Sequence, residues 1–369
     1  MADTTTHVTT PSELCAQASF DVGFEGEDNG THTIVLDNDI DFNNEDYYYY
    51  KDNFMDFEIG SSYTAKTKII EMNNKTISNL FIYAGYSFIY YRLDASHQPN
   101  DWSNYENIEF KNGTFEVVLN GGSFIDYPSA NTAYNGTAST TTRLEFRNCT
   151  FNIKAISFIH MFNIPPMFRY VNFINCTFNI DAYNGAITAH SIINDSFNTS
   201  LGSGITINRI LAIESCQFKI KLNNVLFTKG NISGNKSAII IDSIISNRNY
   251  NKSINNCIFF ISYNPNIVES MTNQCVWIIS TQSIGTSTTS SIGSLNNNFI
   301  SVLDSQNYVV KVDNFISSAN MPVKGSFFYN SDRITLDSST AYNKYGLTTA
   351  QCKSPTDLAN AGYVIANDT

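Results

Sequence analysis

The sequence predicts an all-β chain wound as a parallel solenoid, and three observations carry that expectation. First, a motif recurs: RLEFRNCTFNIKA at 143–155 and RYVNFINCTFNIDA at 169–182 share NCTFNI, 27 residues apart. Weaker copies stand at 106–117 (ENIEFKNGTFEV), 210–220 (ILAIESCQFKI), 251–261 (NKSINNCIFFI) and 291–300 (SIGSLNNNFI). Repetition of this kind marks stacked units that each pair only with their neighbours. Second, Asn supplies 47 of the 369 residues and Phe and Tyr are abundant, while charged residues make up 15%. That mixture suits strands and turns. Third, apolar and polar residues alternate within each half of the motif, the period of a strand with one buried face. The parity slips by one residue at the Asn.

The slip places a bend. Aligned on Phe115, Phe151, Phe178, Phe218, Phe259 and Phe299, the copies put Asn112, Asn148, Asn175, Ser215, Asn256 and Asn296 three residues earlier. Gly113, Cys149, Cys176, Cys216, Cys257 and Asn297 stand two earlier, and Phe110, Phe146, Phe173, Ile213 and Ile254 five earlier. Val117, Ile153, Ile180, Ile220 and Ile261 follow two later, with Ser301 interrupting that column. Asn tolerates the left-handed backbone that a bend between strands requires. Successive coils would stack these Asn side chains into a hydrogen-bonded ladder and the Cys, Phe and Ile columns into a core, at the strand spacing of about 4.8 Å. The Phe-to-Phe spacings of 36, 27, 40, 41 and 40 residues leave loops of variable size on one side. IIEMNNKTISNL at 69–80 fits an earlier coil with Asn74 at the bend and Ile77 in the Phe column, and VKGSFFYN at 323–330 a last one around Phe327.

A solenoid must cover its open ends. Thr10-Pro11-Ser12-Glu13 carries an N-cap, Pro at the first helical position and Glu three residues on, and it precedes the strand pattern HTIVLDNDIDF. Ser354-Pro355-Thr356-Asp357 repeats that start signal, with Gly362 as the stop. The expected organisation is an N-terminal cap and tyrosine-rich entry segment over 1–68, coils over 69–334, and a C-terminal capping and docking segment over 335–369. A short capping helix is expected at each end.

The opening order (short strand, TPSEL helix, TIVLDNDIDF, then a coil containing NNKTISNL) resembles the start of pectate-lyase-like right-handed parallel β-helix proteins. The closing YGLTTAQCKSPTDLANAGYVI resembles a segment that follows β-helical repeats in gut-bacterial and phage proteins. The resemblance implies a single right-handed coil of the kind found in phage spike, fibre and decoration proteins. It implies no single activity, because that fold hosts lyases, hydrolases, tailspikes and inert fibres.

The chemistry is sparse. A formal charge of -11 argues against nucleic acid or anionic membrane as a partner. No stretch approaches the roughly 20 apolar residues that span a bilayer. MADTTTHVTTPSEL has neither a basic nor an apolar leader region, so Sec export is not expected. Twelve NxS/T matches follow from the abundance of Asn and Thr. The seven cysteines (Cys15, Cys149, Cys176, Cys216, Cys257, Cys275 and Cys352) are an odd number without CxxC or Cys/His metal spacing, so reduced thiols are expected, with no metal and no cofactor.

Glu109 and Glu145 hold equivalent outward positions and are the weak candidates for a catalytic or cation-binding pair, read otherwise as exposed acids beside Lys111 and Arg147. Asp181, Asp195 and Asp242 are read as scattered through loops. His160 and His190 are read at similar places in successive coils, in apolar settings. Tyr47, Tyr48, Tyr49, Tyr50 and Tyr63, with Tyr83, Tyr86, Tyr90 and Tyr91, offer amphipathic ring faces suited to sugars or a subunit contact. The function expected is a non-enzymatic structural or attachment protein of a tailed-phage virion, made in the host cytoplasm. Its expected partners are other virion proteins and host surface polysaccharide, with a homotrimer as the expected assembly. A polysaccharide depolymerase or lyase on the same scaffold, and a bacterial surface adhesin, are the alternatives.

Overall fold

A computed structural model of the chain describes residues 3–18, 30–43, 55–59, 67–93, 107–126, 143–158, 160–164, 168, 170–183, 186–188, 191–194, 210–223, 226–228, 236–244, 251–263, 274–282, 292–296, 298–303, 308–312, 321–322 and 325–329. Strand dominates these residues and they hold one helix. The strands form two sheets, of 16 and 11 strands, and pairing is parallel except at three places.

Each repeat lays down a leading strand before the Asn, a trailing strand after it, and a rear strand in the second sheet. Residues 107–111, 113–120 and Ser123–Asp126 are one set. The next is 143–147, 149–157 and His160–Asn163, followed by Tyr170–Ile174, Thr177–Tyr183 and Ser191–Asn194. Like pairs with like: Phe110 stands opposite Phe146, Phe115 opposite Phe151, and Phe162 opposite both Ile125 and Ile193.

The bend is a single left-handed residue in the copies from 106–117 to 251–261, and the pair Asn73 and Asn74 in the copy at 69–80. Asn74, Asn112, Asn148, Asn175, Ser215 and Asn256 all have φ between 53° and 59°. Their amides link the repeats: Asn175 Nδ2 donates to Asn148 Oδ1 (3.2 Å) and Asn148 Nδ2 to Asn112 Oδ1 (2.8 Å). Asn112 Nδ2 then reaches both oxygens of Glu71, at 3.0 and 3.1 Å. A carboxylate is a fitting terminus, since it accepts the last donor and needs no acceptor itself. Ser215 breaks the run while keeping the strained backbone. Left-handed φ disfavours Ser more than Asn, so Ser215→Asn is expected to stabilise the chain by about 0.5–1 kcal/mol. An unchanged or lowered denaturation midpoint would mean that residue 215 has no room for the amide.

The bend also explains the cysteines. Turning the backbone out of the ladder leaves carbonyls and N–H groups facing inward, where an unmade hydrogen bond is costly. Cys149, Cys176, Cys216 and Cys257 send Sγ to the carbonyls of Phe110, Phe146, Phe173 and Ile213 in the preceding repeat, at 3.3–3.4 Å. The N–H of Cys176 in turn donates to Cys216 Sγ at 3.4 Å. One small side chain thus serves both kinds of backbone group. All four thiols are free and buried. The neighbouring Cys176 sulfur and burial push the Cys149 thiol up, and burial with both sulfur neighbours does the same to Cys216. Because all four sulfurs are sealed in the core, thiol titration of the native protein should leave them unmodified until denaturant is added. Rapid native labelling would contradict the packing. In the 107–126 repeat the position is Gly113, because a Cβ there would lie 2.3 Å from Cβ of Met72.

Between the sheets lies one apolar core. Phe115, Phe151, Phe178, Phe218 and Phe259 stack in a continuous file with centroids 4.5–5.1 Å apart. Phe124 and Phe162 of the rear strands meet that file edge-on or tilted. Helix α1 (Pro11–Ala18) covers the N-terminal end with Leu14, Cys15 and Ala18 buried. Glu13 Oε2 accepts from the N–H groups of Thr9 (2.7 Å) and Thr10 (3.2 Å), while Thr10 Oγ1 accepts from Glu13 N–H (3.2 Å). This is the reciprocal cap read from TPSE. The fully buried Lys68 donates to the Ala18 carbonyl at 3.1 Å, where the helix dipole favours a cation.

The ends depart from the sequence reading. Thr31–Leu36, Ile40–Asp41 and Met55–Ile59 already pair in parallel with Thr67–Glu71, Thr76–Tyr83 and Ser87–Leu93, so parallel order begins ahead of residue 69. The copy at 291–300 sits one residue away from the alignment on Phe299. Ile300 stands opposite Phe259, Val302 opposite Ile261 and Leu295 opposite Ile254, leaving Phe299 opposite Ile258 and Asn296 opposite Asn255. Three consecutive Asn residues hide which one turns, and anchoring on Ile300 repairs the column that Ser301 interrupts. Gly325–Tyr329 is not a further parallel coil: it runs antiparallel to Asn298–Leu303, with Phe327 opposite Ile300. An antiparallel partner satisfies the last strand's edge without another circuit of the chain. The C-terminal helix expected after Ser354, and the whole 335–369 segment, lie outside the described residues.

Candidate functional site

Glu109 and Glu145 stand opposite one another on adjacent strands, as the repeat requires. They are not an exposed pair. The Glu145 side chain is only 4% accessible, because its neighbours close over it. Arg147 Nη2 holds Oε1, and Asn172 Nδ2 donates to Oε2 at 2.8 Å. Arg143 lies 3.9 Å from Oε2 and sits over the Tyr170 ring. Glu109 is 3.8 Å from Arg147 Nε. Lys111 pairs instead with Glu71 at 3.4 Å. Each carboxylate oxygen of Glu145 thus already accepts from a neighbour inside a closed site, which ties the group to the sheet.

The other outward face, on the trailing strands, is open. Phe81, Glu116, Asn152, Lys154, Asn179 and Asp181 line a shallow groove of about 350 Å³ that runs across the repeats. Alternation fixes its composition: the residue after each anchor Phe points outward, giving Glu116, Asn152, Asn179 and Lys219 in register, and Val118, Lys154, Asp181 and Lys221 two residues on. Asn179 Nδ2 donates to Asn152 Oδ1 at 2.8 Å, extending a second amide pair outside the core. Tyr183 closes one side by donating to Asp181 Oδ2 at 2.7 Å, with Lys154 Nζ 5.6 Å from its ring centroid. That bond to a carboxylate, then burial, pushes the Tyr183 hydroxyl up. The face offers amides, charges of both signs and an aromatic edge, suited to a long polar partner. The repeat contained the signal for it, since the polar members of the alternation predict the outward columns as surely as the apolar members predict the core.

Other sequence candidates are dispersed. Asp181 and Asp242 lie on strands of different sheets rather than in loops, and Asp242 stands opposite Asn194. His160 stands opposite Ser191. Tyr83 and Tyr86 are exposed, at 51% and 41%. Tyr47, Tyr48, Tyr49, Tyr50, Tyr63, Asp195 and His190 lie outside the described residues. Among the described residues no group of three His, Cys, Asp or Glu side chains is placed to hold a metal, and no helix is long and apolar enough to cross a membrane. Comparison with protein-family models, curated proteins and solved structures gives no match, so the functional reading rests on the chain's own residues.

Proposed function

We propose that this chain is a non-enzymatic structural or attachment rod of a tailed-phage virion: a fibre, spike or decoration protein coiled as a single right-handed parallel β-helix of the pectate-lyase-like kind. Three strands per repeat, parallel in-register stacking and amides donated from repeat to repeat support the closed coil. The observation that carries the non-enzymatic reading is the occupied state of Glu145, whose oxygens are taken by Arg147 and Asn172. Hydrolysis or elimination on a polysaccharide requires converging acids or an acid beside a cation, and the one stacked glutamate pair among the described residues is tied to Arg147 and Asn172. Host polysaccharide contact we assign to the tyrosine-rich segment Tyr47–Tyr50 and Tyr63, together with the exposed Tyr83 and Tyr86.

Two measurements test this. Immunolabelling of purified particles in the electron microscope should place the chain on the virion, and labelling confined to host debris would end the assignment. Incubation with capsular and other acidic polysaccharides should release neither reducing ends nor unsaturated products. Steady turnover abolished by Glu109→Gln would promote the depolymerase reading in its place.

A further inference from the structure

The open face of the trailing strands is complementary to itself. We propose that it pairs with the same face of a second copy of this chain, the two rods running antiparallel about a two-fold axis between strands 149–157 and Thr177–Tyr183. A two-fold axis lying along the strand direction keeps each outward column opposite itself and reverses the order of repeats. Under that operation Glu116 of one copy faces Lys219 of the other, and Lys154 faces Asp181. Asn152 then faces Asn179, amide to amide. The exposed ring of Phe260, 36% accessible, comes opposite Ser78 and Asn79, where a bulge sets two residues in the place of one. Every charged position in the first column thus meets its opposite.

Two further observations favour a second copy over another occupant. Glu116, Lys219 and Lys221 are exposed and have no ion-pair partner among the described residues, whereas Glu71, Glu109 and Glu145 on the leading strands are ion-paired within the chain. The face also has the right extent. Six trailing strands, from Thr76–Tyr83 to Ile258–Tyr263, cover about 650 Å² at ordinary strand spacing and rise. A standard interface takes roughly 800 Å² from each partner, so the pairing is of moderate strength and sensitive to salt.

Sedimentation velocity on the full chain tests it, first by concentration and salt, then by charge exchange. The wild type should reach twice the chain mass as concentration rises, and fall back as salt is added. Glu116→Lys alone sets Lys against Lys at both symmetric contacts, and Lys219→Glu alone sets Glu against Glu. Each should weaken self-association about tenfold or more. Mixed together, the two variants should form a heterodimer of wild-type strength, because both of its contacts are then of opposite sign. These residues are exposed, so circular dichroism and melting should match the wild type in all three samples. A wild type that stays monomeric, a trimer, or a mixture that associates no better than its components would each overturn the proposal.

Discussion

Arg147→Met should lower the unfolding free energy by about 2–4 kcal/mol, a large effect for a residue whose side chain is 41% exposed. The loss comes less from the arginine than from what it leaves behind. Glu145 points to the outer side of its strand, yet Arg143, Arg147 and Asn172 exclude water from it. Without the guanidinium, a carboxylate remains in a site that water reaches poorly, and burying an unpaired charge is far costlier than losing an exposed ion pair. The double variant Glu145→Met/Arg147→Met should therefore be more stable than Arg147→Met alone, with urea midpoints giving the comparison. If Arg147→Met unfolds within about 0.5 kcal/mol of the wild type, the network does not hold the sheet. Glu145 would then return as a chemical candidate.

That carboxylate shows where sequence reasoning stops. Alternation correctly puts Glu109 and Glu145 on the outward side, but it treats outward as exposed. Burial on the outer face depends on long side chains two residues away and one strand over. Arg147 and Asn172 belong to different repeats, and no local pattern links them. By contrast, the bend at Asn148 and Asn175 was legible because one physical demand, a left-handed residue between two pleats, recurs at each turn and selects the same residue type. The cysteines were legible as interior and not as hydrogen-bonding partners of Phe110 and Phe146, since that role depends on which carbonyls the bend strands. The rear strands went unread as well. Ser123–Asp126 and His160–Asn163 are only four residues long, too short for a period to emerge, and they pair through backbone groups that leave little mark on composition. Where a repeat is degenerate, as in LNNNFISV, the register is set by the whole apolar set Leu295, Ile300 and Val302 rather than by its most conspicuous ring.

Phe151→Ala should cost about 3–5 kcal/mol and should do so locally. The ring is fully buried, stacked on Phe115 at 5.1 Å and Phe178 at 4.9 Å, with Phe124, Phe146 and Phe162 around its edges. Its two stacking partners are fixed by parallel register, so neither can move into the void without dragging its own strand out of the ladder. Phe151→Leu keeps part of the volume and gives up the stacked faces, and its loss should be smaller, about 1–2 kcal/mol. Ile156→Ala, at a 41% exposed position on the same strand, should stay within about 0.5 kcal/mol of the wild type. Because each repeat touches only its neighbours, the damage should stay near the cavity. Hydrogen exchange in Phe151→Ala should lose protection first in 113–120, 149–157 and Thr177–Tyr183, while Thr31–Leu36, several repeats away, keeps its own. Uniform loss of protection along the chain would show a single cooperative unit, and the sheets would then have to be treated as one core rather than as a stack of separable layers.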